Sequence, residues 1–188
     1  MVNQRYNKFK SLPFIPYRII QALTENEDFF KLLKSGAYDC LNIGDLTIEE
    51  KENMIWAGQE DMGNHNIFLT STVTDEMTEE KMILKVYRVH DSPNSYVLST
   101  VSYRFDFMYG VRTSMVKYNE VPCSRGDVFQ EELMKTLNGR DVGGIGRLVY
   151  DKNMSNLCSA NIGIGEDDKF TGVSVVMATG IGDDSICR

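Results

Sequence analysis

From Tyr17 onward, Ile19, Ile20, Leu23, Phe29, Phe30, Leu32 and Leu33 recur at the spacing of an amphipathic helical face. Thr24-Glu25-Asn26-Glu27 has the form of a capping box, with a threonine at the cap and a glutamate three residues later. It divides the stretch into two helices, Tyr17 to Leu23 and Glu25 to Lys34. Pro13 and Pro16 set an extended lead-in, since proline suits a first turn but not a helix interior. Thr47-Ile48-Glu49-Glu50-Lys51-Glu52 predicts a third helix start, its carboxylates placed where the helix dipole favours them. Met54, Ile55 and Trp56 would anchor it, Trp56 as a partly buried core member.

From Asn66 the period changes to two. Ile67 to Val73 and Met82 to Val89 read as strands, joined by the acidic segment Thr74 to Lys81. After a turn at Asp91-Ser92-Pro93-Asn94-Ser95, Tyr96 to Tyr109 reads as one long strand. Val97, Ser99, Val101, Tyr103, Phe105 and Phe107 take one face; Leu98, Thr100, Ser102, Arg104 and Asp106 take the other. One apolar and one mostly polar face describe an antiparallel sheet covered on one side. A strand of this length exceeds the usual mode of about 5–6 residues, so it either projects as a hairpin or is split by a bulge.

A short strand, Thr113 to Val116, and an extended Val121-Pro122-Cys123 lead to Ser124 as the cap of another helix. That helix ends at Leu137-Asn138-Gly139. Its core side takes Val128, Leu133, Met134 and Leu137, flanked by Phe129. Asp127, Gln130, Glu131, Glu132 and Lys135 fall on the solvent side. Val142 to Tyr150 reads as a glycine-led strand and Phe170 to Ala178 as a last strand that completes the sheet. The fold class is therefore α+β: a mostly antiparallel sheet with a long hairpin, packed against helices. An N-terminal arm (1–15), basic through Arg5, Lys8 and Lys10, precedes a single domain (16–180) and a C-terminal tail (181–188).

Composition narrows the function. With 188 residues, 42% hydrophobic and 25% charged, the chain has the makeup of a soluble globular domain. No run reaches the roughly 20 apolar residues of a membrane helix, and the polar N-terminus lacks the apolar core of a signal peptide. The expected setting is a cytoplasm or a particle assembled there. A net charge of −7 opposes wrapping nucleic acid, yet suits a surface that DNA slides past. Cys40, Cys123, Cys158 and Cys187 show no metal-ligand spacing and read as reduced thiols. His65 and His90 read as surface residues.

Candidate chemistry is sparse. Gly143, Gly144 and Gly146 follow a helix and open a strand, the reverse of a phosphate-cradling loop. The cluster Asp75, Glu76, Glu79, Glu80 lacks the loop spacing of a calcium site and reads as an exposed acidic hairpin. Ser124, Ser155 and Ser174 lack a nucleophile-elbow context. No catalytic pair and no cofactor box assembles, so the chain reads as a structural protein with no cofactor.

The order of elements carries a resemblance. A helical N-terminal region precedes a hairpin-rich sheet with an acidic loop. A helix ending in Leu137-Asn138-Gly139, a strand from near Gly143, an irregular loop and a last strand with Phe170-x-Gly172 follow. Over roughly Pro16 to Thr179 this resembles the tail-terminator and related neck or tail-completion proteins of tailed bacteriophages. The segment Asn42 to Asn66 and the tail after Gly180 depart from that pattern. The resemblance implies a homo-oligomeric ring, most often a hexamer, at the head–tail junction of a virion. Such a ring caps the tail-tube protein, docks onto neck or connector proteins, and passes DNA through its lumen without specific binding. Its candidate lumen or interface loop is Asp75, Glu76, Glu79 and Glu80; its candidate interface hairpin carries Arg104, Asp106 and Tyr109. A head–tail adaptor or stopper, or a small enzyme with an acidic metal site at Asp75 and Glu76, remain the alternatives.

Overall fold

The computed structural model describes residues 9–58, 62–72, 81–93, 98–142, 146–150 and 169–182. Residues 9–14, assigned to the arm by sequence, form a 3-10 turn, and helix α1 (Ile15–Leu23) starts immediately after it with Pro16 in its first turn. Ile15, Ile19, Ile20 and Leu23 form the buried face of α1, the spacing that 3.6 residues per turn requires. Helix α2 (Glu27–Lys34) starts two residues later than the capping-box reading places it. The cap is Asn26: its backbone is extended and its side chain accepts the Phe29 N–H at 3.0 Å. Thr24 instead stays helical and its hydroxyl donates back to the Gln21 carbonyl at 2.6 Å, closing α1. The capping box that does form is Thr47–Glu50, at the start of helix α3 (Ile48–Asn53).

Five strands make a mixed sheet: β1 (Ile67–Phe68), β2 (Ile83–Pro93), β3 (Leu98–Gly110), β6 (Val149–Tyr150) and β7 (Phe170–Gly182), in the order β1-β2-β3-β7-β6. All neighbours are antiparallel except β1, which runs parallel to β2. The fold is α+β, a mostly antiparallel sheet packed against helices, as the alternation of periods implies. Several boundaries differ. The strand expected to reach Val73 stops at Phe68, among the described residues. Asp91, Ser92 and Pro93, read as a turn, continue β2 and pair with Val101, Thr100 and Ser99. The irregularity expected in the long strand lies on its partner, between Arg88 and His90, where the register shifts.

The last strand does not close an edge. β7 lies inside the sheet, pairing with β3 over its whole length and with β6 only at Met177 and Ala178. Of the glycine-led strand, only Val149–Tyr150 is strand; Gly143 to Ile145 lie outside the described residues.

A separate hairpin, β4 (Met115–Tyr118) and β5 (Val121–Ser124), turns at Asn119 and Glu120. Both turn residues have positive φ, 49° and 65°, which aligns the turn with the strand twist. The hairpin delivers the chain into helix α4 (Arg125–Leu137). Helices α1, α2 and α4 cover one sheet face, where Val101, Tyr103, Phe105, Phe107, Val173, Val175 and Met177 point inward. At its centre Phe129 of α4 stacks on Phe107 of β3 with centroids 4.4 Å apart, and Phe29 of α2 lies 5.4 Å from Phe129. Such pairs add about 0.5–1.5 kcal/mol each beyond the area they bury.

Candidate functional site

Two polar clusters interrupt this apolar frame, one on the far side of the sheet and one between helices. On β3, Arg104 and Asp106 are two residues apart and share the face opposite the helices. Register sets Ser174 of β7 beside Asp106 and Tyr87 of β2 beside Arg104. Asp106, 7% exposed, is the hub. Its Oδ1 accepts from Arg104 Nε at 2.6 Å and from Ser174 Oγ at 2.5 Å, and its Oδ2 accepts from the Tyr87 hydroxyl at 2.7 Å. Arg104 Nη2 donates to Ser174 Oγ at 2.9 Å. Burial, reinforced by the Asp106 carboxylate, pushes Tyr87 up to about 12. The cluster rims a small cavity of about 180 Å³ that Lys85 and Met108 also line. With its proton directed at Asp106 and a lone pair filled by Arg104, Ser174 clamps β7 to β3, and through Tyr87 the Asp106 carboxylate joins β2 as the third strand.

The second cluster joins the start of α2 to α4. Glu132 was expected on the solvent side, but it is 0% exposed. It is buried because α2 packs across α4 at this point, and three donors meet it there. They are Asn26 Nδ2 at 2.9 Å, the Tyr118 hydroxyl at 2.9 Å and Lys135 Nζ at 3.3 Å. Asn26 also donates to Thr136 Oγ1 at 2.7 Å, so one side chain caps α2 and pins it to α4. Burial and the adjacent Glu132 raise the Tyr118 pKa and keep its hydroxyl protonated. The cluster floors an open cleft of about 680 Å³, lined by Glu25, Glu27, Asp28, Lys135 and Arg140 among others. Arg140 pairs with Glu25 across its rim at 2.9 Å.

Arg125, at the first turn of α4, is 0% exposed. Its guanidinium is solvated by backbone carbonyls: Nε donates to Thr113 at 2.6 Å, Nη1 to Leu32 and Ser35 at 3.1 and 2.9 Å, and Nη2 to Ala37 at 2.9 Å. Several of these carbonyls end α2, the negative pole of its dipole, which a buried cation complements. Cys40 Sγ lies 3.5 Å from Nη1, while burial raises the thiol's pKa despite that cation. The sequence holds only a weak sign of this role, an arginine at the start of a helix where dipole arguments prefer an acid.

The residues singled out from the sequence separate. Arg104 and Asp106 meet in the sheet cluster. Tyr109 does not join them; it lies on the helix side, its ring 5.0 Å from Phe107 and its hydroxyl set against Gly126 at the start of α4. β3 itself runs between β2 and β7, hydrogen-bonded on both sides, so these residues belong to a central strand. Asp75, Glu76, Glu79 and Glu80 lie outside the described residues. His65, expected at the surface, is 7% exposed with Nδ1 2.9 Å from the Asn53 carbonyl; His90 is exposed. Trp56 is partly buried against Phe68, centroids 6.0 Å apart. Among the described residues, no group of three or more His, Cys, Asp or Glu is gathered for a metal ion.

Among known proteins, the model of the family described as YomW matches residues 26–179, most of the chain. No curated protein matches.

Proposed function

Because this chain belongs to the YomW family, a match that suggests a phage-associated protein, we propose that it is a structural protein of a tailed-phage particle. In this reading it forms a ring, most simply a hexamer, at the head–tail junction, where it ends the tail tube and joins it to the neck. The observation that carries this reading is the β2–β3–β7 slab. Among the described residues, strands of 11, 13 and 13 residues run far past their two-residue neighbours β1 and β6. A long antiparallel slab with short flanking strands is suited to growth by strand addition from a neighbouring subunit, and head-to-tail contacts close into rings when the rotation permits. The clamps at Asp106 and Glu132 give each subunit the rigidity that stacking requires. Net charge −7 makes the lumen repel DNA, so a genome passes without adsorbing. Asp75, Glu76, Glu79 and Glu80 supply part of that charge.

Mass photometry and negative-stain imaging of the purified protein, alone and mixed with purified tail tubes, test the reading. A ring-sized species that caps tube ends supports it. Rings that bind connectors and ignore tubes would instead make the protein an adaptor or stopper. A species that stays monomeric and leaves tube ends bare overturns the proposal.

A further inference from the structure

Past β1, the outer edge of β2 stands open among the described residues. β1 pairs with it only at Leu84 and Lys85, and β3 takes its other side. The Leu84 N–H donates outward, to the Asn66 carbonyl at 2.8 Å. Since backbone groups alternate along a strand, Val86 and Arg88 direct theirs outward as well. The register then skips Val89: Arg88 lies opposite Tyr103, His90 opposite Ser102 and Asp91 opposite Val101. This one inserted residue makes Asp91 the next outward position and sets it on the same face as Arg88. Without it, residues three apart on a strand fall on opposite faces. The two side chains meet at 3.5 Å, 48% and 46% exposed, as that shared face requires. Pro93, which has no N–H, ends the run that another strand could pair.

We propose that this edge pairs antiparallel with the same edge of a second copy, about a two-fold axis at His90. The pattern is self-complementary. Turning the strand about His90 sets each Arg88 opposite the other copy's Asp91, on one face of the joined sheet. Arg88 and that Asp91 form a hydrogen-bonded pair, their outward N–H and carbonyl groups exchanging bonds. His90, its backbone groups turned towards β3, meets its own copy as the non-bonded pair on the axis. The neighbouring registers, centred on Arg88 or on Asp91, put like charges face to face and are disfavoured. Charges, a bulge and a proline guard an edge against unlimited pairing. Here they admit one short register, and the contact closes after two copies. The exposed Arg88–Asp91 pair within a copy is weak, so exchanging it for two pairs across the axis costs little, while the backbone bonds are new. The contact is isologous, whereas the ring uses head-to-tail contacts, so it stands independently of the ring reading.

Analytical ultracentrifugation of the full chain tests this, with Arg88→Asp and Asp91→Arg made singly. The wild type is expected to double in mass as its concentration rises over roughly 1–200 μM. Each variant sets like charges against each other at both contacts and should stay at half the wild-type mass. Mixed in equal amounts, the two variants are complementary again and should restore the doubled species, now a heterodimer. Both positions are exposed, so circular dichroism should show each variant folded as the wild type is. The contact doubles the mass of whichever unit the chain forms, subunit or ring, so its loss is read separately from loss of the ring. A wild type that never doubles, single variants that double as it does, or a mixture that fails to double overturns the proposal.

Discussion

The hydroxyl of Tyr109 lies 2.7 Å from the point where a β-carbon on Gly126 would stand. The glycine leaves room for a side chain from the central strand to meet the first turn of α4. This contact, with the Phe107–Phe129 stack, sets where the helix rests on the sheet.

Gly126→Ala should therefore destabilise by about 1–3 kcal/mol, the usual cost of overpacking. Tyr109→Phe in the same chain should recover part of that loss, read as a coupling energy in a urea-denaturation double-mutant cycle. Gly172→Ala should cost more, about 3 kcal/mol or above. Its β-carbon would fall 2.4 Å from the Phe107 carbonyl, and backbone in a paired strand cannot step aside. Equal effects of the two alanines would contradict this geometry.

Arg125 is the most consequential single side chain. Arg125→Met leaves four carbonyls without their donor and should cost about 3–5 kcal/mol, a large part of a typical domain's stability. Arg125→Lys keeps the charge but lacks the planar fork, and should fall between the two. Chemical denaturation checks the ranking.

Asn26 and Thr24 offer a contrast. Asn26→Ala removes the α2 cap and a donor to buried Glu132, and should cost about 2–4 kcal/mol. Thr24→Ala, at the position the sequence favours as the cap, should cost no more than about 0.5 kcal/mol. Thermal melts of both variants decide it; a larger loss from Thr24→Ala would refute the assignment.

Glu120 adopts φ 65° in the β4–β5 turn, a conformation that costs a side-chain-bearing residue about 1–2 kcal/mol. Its compensation is an exposed ion pair with Lys117, and surface pairs of this kind contribute little. Glu120→Gly should raise stability by about 0.5–1 kcal/mol, seen as a higher denaturation midpoint.

Burial pushes both Tyr87 and Tyr103 up to about 12, from 10 in the unfolded chain. Between those values the unfolded chain has given up protons that the fold retains, so stability declines as pH rises. The contribution is complete below pH 10 and is lost as pH passes through about 12. Phenolate absorbance should lag behind that of a denatured control and then appear together with unfolding. Tyr103→Phe should shift alkaline unfolding to higher pH, since it removes one such group without breaking a hydrogen bond.

Much of the frame was legible along the chain. The 3.6-residue recurrence in Ile15–Leu23 and Glu27–Lys34, and the alternation through Phe105 and Phe107, are local signals, and the structure keeps them. Arg104 and Asp106 could be placed on one face from their spacing alone. Their partners could not: Ser174 is 68 residues from Asp106, and only the β3–β7 register brings the two together. The reading of Thr24 failed because two residues competed for one cap, and contact of Asn26 with α4 decided between them.

The sequence by itself determined the helical or strand character of the main segments, though not where they end, because hydrophobic period is a property of neighbours along the chain. Only the tertiary structure decided that β7 enters between β3 and β6, and that Arg125 and Glu132 are buried. It also decided that the Tyr103 hydroxyl is left unpaired beside Arg88. Each of these depends on which distant surfaces meet, and that is set by burying the whole apolar face at once while pairing the polar atoms trapped with it.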